Sequence, residues 1–404
     1  MRLIKKYLPI LIIFISSLGA QNNYPIVLVH GFIGWGPEEM VGYKYWGGFW
    51  DLEEYLEEKG FNVITVSIGP VSSNWERAVE IYYQLKGGQV DYGKSHSNKF
   101  GVIQKPISKT YTGLYPEWDA EHPVHLLGHS MGGQTVRMLD YLLENSFYED
   151  SMETQYEESE LLGQSNSGLI KSITTISSPH NGTTYFDVRM KTLPFFQNFI
   201  GLAAVIGSDF YNFDLEQWDL KQKEGENWQE YYDRMEKHAA WDSKNISTWD
   251  LSIEGARELN TAMRANPNIY YFSYATTCSR IDKQTGFYIP SGKVFISLRD
   301  NVKKIGQEVT TFADSTKTDS TWFENDGVVN TNSMWGPTTG LNGPDKIVKY
   351  SSDKTLFPGQ WYTFGPYEMD HYYVIGQAMM RKKQRSELYK IYSDHCRLLY
   401  SLPK

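Results

Sequence analysis

The amino-acid sequence predicts an α/β fold in which a mostly parallel sheet carries helices on both faces. Three observations predict it. Short, continuous apolar runs, of the kind a fully buried parallel strand needs, alternate with stretches of helical spacing. One such run, residues 124–127, passes through Gly128-His129-Ser130-Met131-Gly132 straight into a helix-like stretch over residues 134–145. The 404 residues, 41% of them hydrophobic, supply ample core, and no linker composition divides them.

The elements follow in order. Residues 25–29 (Pro-Ile-Val-Leu-Val) read as the first buried strand, with His30-Gly31-Phe32 as the turn after it. Residues 51–59 read as a short amphipathic helix, and residues 61–67, which lean toward β-branched side chains, as the second strand. Residues 69–123 mix aromatic and polar side chains with no clear period and read as a small loop-rich insertion. Residues 124–127 are the next strand, and Val136, Leu139, Leu142 and Leu143 give the helix over 134–145 its apolar spacing. Residues 169–176 form a strand ending at Ser178-Pro179-His180. Residues 185–263 are a second insertion, rich in Phe, Trp and Leu and mostly helical in pattern. Residues 268–274 and 345–350 complete the strands. Strands alternating with helices imply parallel crossovers. The expected organisation is one domain over residues 21–404 with insertions at 69–123 and 185–263.

Gly-x-Ser-x-Gly alone is common by chance. A strand before it and a helix after it make it specific, and together they read as the nucleophile elbow of an α/β-hydrolase fold. The turn holds Ser130 in a strained backbone position above the sheet, and flanking glycines are needed because a Cβ there would strike the neighbouring strand and helix.

A serine attacks only when a base takes its proton and a third group orients that base. In this fold the acid and then the histidine follow the serine. The downstream histidines are His180, His238, His371 and His395. His371 sits in a polar loop just before an apolar, helix-like run, whereas His180 comes too early to follow a downstream acid. The acid candidate is Asp326 in Glu324-Asn325-Asp326-Gly327, with Glu324 and Asp370 as competitors. An oxyanion hole needs two backbone N–H groups. The residue after the nucleophile, Met131, offers one, and Phe32 in the turn after the first strand offers the other.

The formal net charge of −9 argues against nucleic acid and anionic membrane surfaces as main partners. Twenty-nine Tyr and 12 Trp favour a substrate with apolar or planar groups, although most such rings serve the core. Arg2, Lys5 and Lys6 precede an apolar run over residues 8–18 and the small residues Gly19 and Ala20. This reads as a secretory signal over residues 1–20, and the expected location is extracellular. The competing reading is a retained anchor, for which the run is short. Export makes Cys278 and Cys396 eligible for a disulfide, and the sequence leaves a bridge and two separate thiols equally open.

Several motifs together resemble the secreted bacterial lipases of the thermophilic bacillus and staphylococcal group. They are Val29-His30-Gly31-Phe32, Gly34-Trp35-Gly36, Glu38-Glu39-Met40, Tyr45-Trp46-Gly47-Gly48, Ser73-Asn74-Trp75, Gly87-Gly88 and Val90-Asp91-Tyr92-Gly93. His129-Ser130 with Gly132-Gly133-Gln134-Thr135, then Gly182-Thr183-Thr184, Glu324-Asn325-Asp326-Gly327 and Asp370-His371 complete the pattern, which runs from about Tyr24 to about Gly376. The resemblance implies a triacylglycerol lipase with Ser130, Asp326 and His371 as triad and Phe32 and Met131 as oxyanion donors. It implies acylglycerol substrates met at a lipid–water interface. A short-chain esterase or polyester hydrolase is the alternative within the same chemistry, and a non-catalytic binding protein would need a broken triad. Residues 185–233 would be a mobile lid, with Leu193, Phe195, Phe196, Phe199, Ile200, Leu202, Val205 and Ile206 as its apolar face.

The resemblance also implies a zinc held by two carboxylates and two histidines. Those positions fall on Glu76, His96, Val102 and Asn245. Only Glu76 and His96 keep strong ligand chemistry, since valine cannot bind zinc and an amide binds it weakly. His238 and Asp242 lie close enough in sequence to be considered as replacements. The acidic calcium ligands that follow the histidine in those lipases correspond here to Tyr373 and Ala378. The expectation is no required cofactor, an incomplete zinc site on Glu76 and His96, and no calcium.

Overall fold

The computed structural model describes residues 22–147, 159–186, 214–220, 223–292, 294–312 and 314–404. The leader expected at residues 1–20 and the apolar lid face expected over residues 193–206 lie outside the described residues.

Seven strands form the central sheet: β1 (Ile26–Val29), β2 (Val63–Val66), β3 (Val124–His129), β4 (Ile170–Ile176), β5 (Tyr270–Thr277), β6 (Ile347–Lys349) and β7 (Trp361–Glu368). Their spatial order is β6-β7-β5-β4-β3-β1-β2. Every pairing between them is parallel. The helices that matter for the site are α1 (Leu52–Glu58), α2 (Asn74–Lys86), α3 (Met131–Glu144), α4 (Ile253–Ala262) and α5 (Lys382–Tyr400).

The apolar run of β1 has its explanation in this layering. Val27 and Val29 face a core shared with Val79 and Leu85 of α2 and Val136 and Leu139 of α3. Ile26 and Leu28 face the opposite core, with Leu52 and Leu56 of α1 and Leu388 and Leu399 of α5. A strand buried on both faces has no polar side to alternate with. Each such side chain contributes roughly 1.5–3 kcal/mol on burial.

Two expectations need correction. Residues 69–123 are not a loop-rich insertion throughout, because α2 is a core helix whose residues 74 and 76–85 are all buried. Its period is invisible because its polar side chains are buried and partnered too. Arg77 donates to Thr135 Oγ1 at 3.0 Å, to the Gly69 carbonyl at 2.8 Å and to the His30 carbonyl at 2.5 Å. Glu80 accepts from Gly69 N–H, the Tyr92 hydroxyl and Lys109, each at 2.6 Å. The apolar run after His371 is the other case: it forms a 3₁₀ turn, Tyr373–Ile375, rather than a helix. Strand β7 and helix α5 escaped the reading. Gly365-Pro366 breaks the alternation of β7, and the face of α5 that meets the sheet includes the polar Ser393 and His395 as well as apolar groups. Cys278 and Cys396 are free, buried thiols.

Candidate active site

The parallel register of β1 and β3 builds the site. Val29 lies opposite Gly128, so the turn after β1 and the turn after β3 emerge side by side at one edge of the sheet. Ser130 occupies the second turn with φ 56° and ψ −127°, a conformation L-residues rarely adopt. The strain is held by packing that only glycine permits. A Cβ on Gly128 would come within 2.3 Å of the Gly132 carbonyl, and one on Gly132 within 2.4 Å of the Val29 carbonyl. Met131 starts α3, so its N–H has no acceptor within the helix and points out beside the serine.

His371 and Asp326 come together 45 residues apart in sequence. His371 Nδ1 donates to Asp326 Oδ2 at 2.8 Å, and both side chains are buried. Thr276 Oγ1 donates to the same carboxylate oxygen at 2.9 Å, and the N–H groups of Val328 and Val329 donate to the other at 3.0 and 2.8 Å. Four donors aim the carboxylate, and because His371 donates to it through Nδ1, Nε2 is left as the accepting nitrogen of the ring. The His371 ring rests against that of His129, the residue before Ser130, with centroids 4.6 Å apart.

The competing acids have other tasks. Asp370 accepts from the backbone N–H groups of Phe295 at 2.8 Å, Tyr372 at 3.1 Å and Tyr373 at 2.8 Å. Burial raises its carboxyl above the ordinary range against the pull of those donors. Glu324 is half-buried and accepts a backbone bond from Thr331 through its carbonyl. His180 and His395 are buried structural groups, bonded to Thr175 at 2.9 Å and to Thr174 and Tyr274 at 2.7 and 2.9 Å. Thr276 is a member of the site that sequence reading missed. It lies on β5, 50 residues before Asp326, and a strand threonine carries no motif of its own.

Phe32 packs edge-on against Phe186, ring centroids 5.6 Å apart, in an apolar wall that includes Met131 and Leu251. Tyr185 packs against the same wall.

The positions expected to hold zinc do not assemble a set of strong donors. His96 Nε2 lies 3.3 Å from Glu76 Oε1, with its ring stacked on Trp75. The Asn245 amide donates to the same oxygen of Glu76. Val102 is buried in an apolar cluster with Val71, Leu215, Trp218 and Ile246. His238 Nδ1 accepts from Ala240 N–H at 3.2 Å, and Asp242 is exposed. No three His, Cys, Asp or Glu side chains converge among the described residues. One carboxylate, one histidine and one amide do not make a tetrahedral zinc site.

Over residues 22–400 the chain matches the family described as "Lipase-like, C-terminal domain". A lipase of Staphylococcus hyicus is 34% identical over 388 residues, which is 92% of this chain and 57% of that protein. The chain therefore spans little more than half the length of that curated relative. Among solved structures, EstA from Clostridium botulinum superposes with a TM-score of 0.86 at 37% identity, covering 96% of this chain and 90% of the other. Lipase 1 from Pelosinus fermentans gives 0.78 at 38%, covering 94% and 99%. With the parallel sheet and its flanking helices, these likenesses make the architecture an α/β-hydrolase fold.

Proposed function

The chain belongs to this lipase-like family, and from that premise we propose that it hydrolyses carboxylic esters of acylglycerols through an acyl-enzyme. The observation that carries the reading is a serine in a strained strand–turn–helix elbow whose preceding residue, His129, packs on the ring of His371, itself hydrogen-bonded to the buried Asp326. Ser130 Oγ attacks the ester carbonyl while His371 Nε2 takes its proton. Asp326 fixes the tautomer of His371 and stabilises the imidazolium that forms. The N–H groups of Phe32 and Met131 receive the charge that develops on the carbonyl oxygen. His371 then returns its proton to the leaving alcohol and activates the water that releases the acid.

The apolar wall of Phe32, Met131, Phe186 and Leu251 adjoins the oxyanion donors and suits an acyl chain. This favours lipid esters over polar ones. A short-chain or polyester substrate would use the same machinery with less of that wall. We place the protein outside the cell at a lipid–water interface, on the strength of its leader-like N-terminus. No helix among the described residues is long and apolar enough to cross a membrane. Reaction with a labelled fluorophosphonate, read together with a rate profile over ester chain length, tests the proposal. Label on Ser130 and rates that rise with chain length are expected. No label would overturn the enzymatic reading, and rates confined to short esters would overturn the substrate.

A further inference from the structure

The turn after β1 is held from two sides by buried histidines whose protons are fixed in opposite places. His30 Nε2 accepts from Ile68 N–H at 3.2 Å. Its proton must then be on Nδ1, which lies 2.9 Å from the Gly31 carbonyl and donates to it. The same carbonyl accepts from Gly34 N–H at 3.1 Å, which closes the turn. The peptide that carries the Gly31 carbonyl also carries the Phe32 N–H, the group assigned above to the oxyanion. Space around the ring is exhausted: a Cβ on Gly34 would fall 2.3 Å from His30 Nδ1.

The other side of Gly31 leads to the nucleophile. Gly31 N–H donates to the Tyr45 oxygen at 2.8 Å, and that hydroxyl lies 2.7 Å from His129 Nδ1. The tyrosine oxygen accepts from Gly31, and placing its own proton on the contact with His129 Nδ1 leaves no hydroxyl proton unpaired; we assign the proton of His129 to Nε2 on that ground. That nitrogen is buried and has no hydrogen-bond partner among the described residues. A Cβ on Gly31 would meet Ser130 Cβ at 2.8 Å and the Tyr45 hydroxyl at 2.9 Å, so turn, tyrosine and nucleophile are in contact. The backbone of Tyr45 is tied in turn to the His371 loop, because its carbonyl accepts from Gln377 Nε2 at 3.2 Å. Both histidines stay neutral. Burial, helped by the Arg77 charge, pushes His30 down to about 3, and burial holds His129 well below its ordinary range.

We propose that His30 and Tyr45 are positioning residues of the oxyanion hole: His30 Nδ1–H orients and polarises the peptide that presents Phe32 N–H, and Tyr45 locks that peptide's neighbour to His129 behind Ser130. A hydrogen bond on the carbonyl of an amide strengthens the N–H of the same amide as a donor. A trans peptide sends the two groups in opposite directions. The donor that holds the Gly31 carbonyl therefore aims the Phe32 N–H the other way. Neither residue touches the substrate. The inference rests on the ester-hydrolase reading, and it adds to it two residues that no triad logic requires.

The test separates the two ring nitrogens of His30. His30→Asn keeps an amide N–H near the place of Nδ1 and loses the acceptor for Ile68. His30→Gln does the reverse. On a soluble p-nitrophenyl ester, His30→Gln should lower kcat by on the order of tenfold or more at unchanged KM, below the 10²–10³ for outright loss of an oxyanion donor. It should slow phosphonate inactivation in parallel, whereas His30→Asn should stay within a few-fold of wild type. Tyr45→Phe, which keeps the ring, should also lower kcat, and by more at a temperature well below its Tm than the fall in Tm accounts for. Equal losses in both His30 variants that track Tm would overturn the proposal, and so would full activity in a folded His30→Gln. Nitrogen-15 histidine spectra give a readout independent of activity: Nδ1–H for His30 and Nε2–H for His129 are expected, and the reverse tautomer at His30 refutes the assignment. Wild-type protein that neither hydrolyses esters nor reacts with phosphonate would count against the ester-hydrolase reading, and the spectra would still decide the tautomers.

Discussion

Asp326 with His371 and Glu76 with His96 are both buried carboxylate–histidine pairs, and they are built differently. Asp326 meets four donors, two on each oxygen, and its histidine sits at 2.8 Å. Glu76 meets two, both on one oxygen, with its histidine at 3.3 Å. Its other oxygen is buried without a partner among the described residues. A buried carboxylate is held in one orientation only where donors replace the water it has lost. The first pair has that replacement and can orient a base. The second has ligand-type residues without the set that would complete it. A carboxylate next to a histidine is therefore not yet a site, and what distinguishes the two is how many donors converge on the acid.

The sharpest break of this contrast is at the catalytic pair. Ser130→Ala should lower kcat by on the order of 10⁶-fold, as removal of a triad nucleophile does. Asp326→Asn should lower it by on the order of 10⁴-fold, because an amide no longer enforces the Nδ1–H tautomer of His371. Glu76→Gln should leave kcat unchanged. Steady-state rates on one soluble ester measure all three, and comparable losses from Asp326→Asn and Glu76→Gln would erase the difference drawn here.

Asp370 comes next in size. It precedes His371 in the chain, and among the described residues its carboxylate bonds only backbone N–H groups, joining Phe295 to the turn after His371. An asparagine oxygen can keep one or two of those bonds, so Asp370→Asn should cost about 1–3 kcal/mol in stability and only a few-fold in kcat. A loss as large as that of Asp326→Asn would move the acid role to Asp370.

Asp250 tests the Glu76 corner through pH. It is buried, accepts from Asn74 N–H at 2.5 Å, and burial pushes its carboxyl up to about 7, with the charge of Glu76 adding to the effect. An unfolded chain releases this proton near pH 4, the folded chain only near pH 7. Below about pH 4 both states hold the proton and the group contributes nothing. Between about pH 4 and 7 the unfolded state gains from ionising, so stability should fall as pH rises through that window. Denaturant titrations of wild type and Asp250→Asn should show a shallower decline in the variant. Parallel curves would mean that Asp250 is ionised in the folded protein.

How much of this was legible follows from what each signal depends on. The elbow, the order acid-then-histidine and the apolar runs are local patterns, and the strand–turn–helix around Ser130, the pairing of His371 with Asp326 and every strand of the sheet but β7 could be read from them. Helix α2 could not, because Arg77 and Glu80 are polar by composition and buried by partnership, and periodicity sees only composition. Thr276 and Tyr45 were equally hidden as parts of the site. Each acts through an atom that reaches it across more than ten residues of sequence, and a strand threonine or a core tyrosine looks the same whether or not it holds something in place. His96 is the opposite case. Its alignment suggested a ligand, and at the aligned positions Val102 and Asn245 the structure places an apolar cluster and an amide bonded to Glu76.

The smallest expected effect is also the one that sharpens the comparison most, since it asks whether the Glu76 corner is an unfinished copy of a working site. If Glu76 serves only to bond His96 and the Asn245 amide, Glu76→Gln replaces a buried carboxyl whose hydrogen-bonding shell is half-filled. An unsatisfied buried group costs about 1–3 kcal/mol, against which the weakened contact to His96 must be set. The net change in Tm should be about 2 °C or less, with no loss on heating. Dialysed protein should contain well under one zinc per chain, and a chelator should leave Tm unmoved. The double substitution Val102→His with Asn245→Asp supplies the two missing ligand types. Zinc at 100 times its Kd would then stabilise the variant by about 2.7 kcal/mol while leaving the wild type unchanged. One tightly held zinc in the wild type, with a Tm that falls on chelation, would show that ligands outside the described residues complete the site, and the two pairs would then differ in kind of occupant rather than in degree of completion.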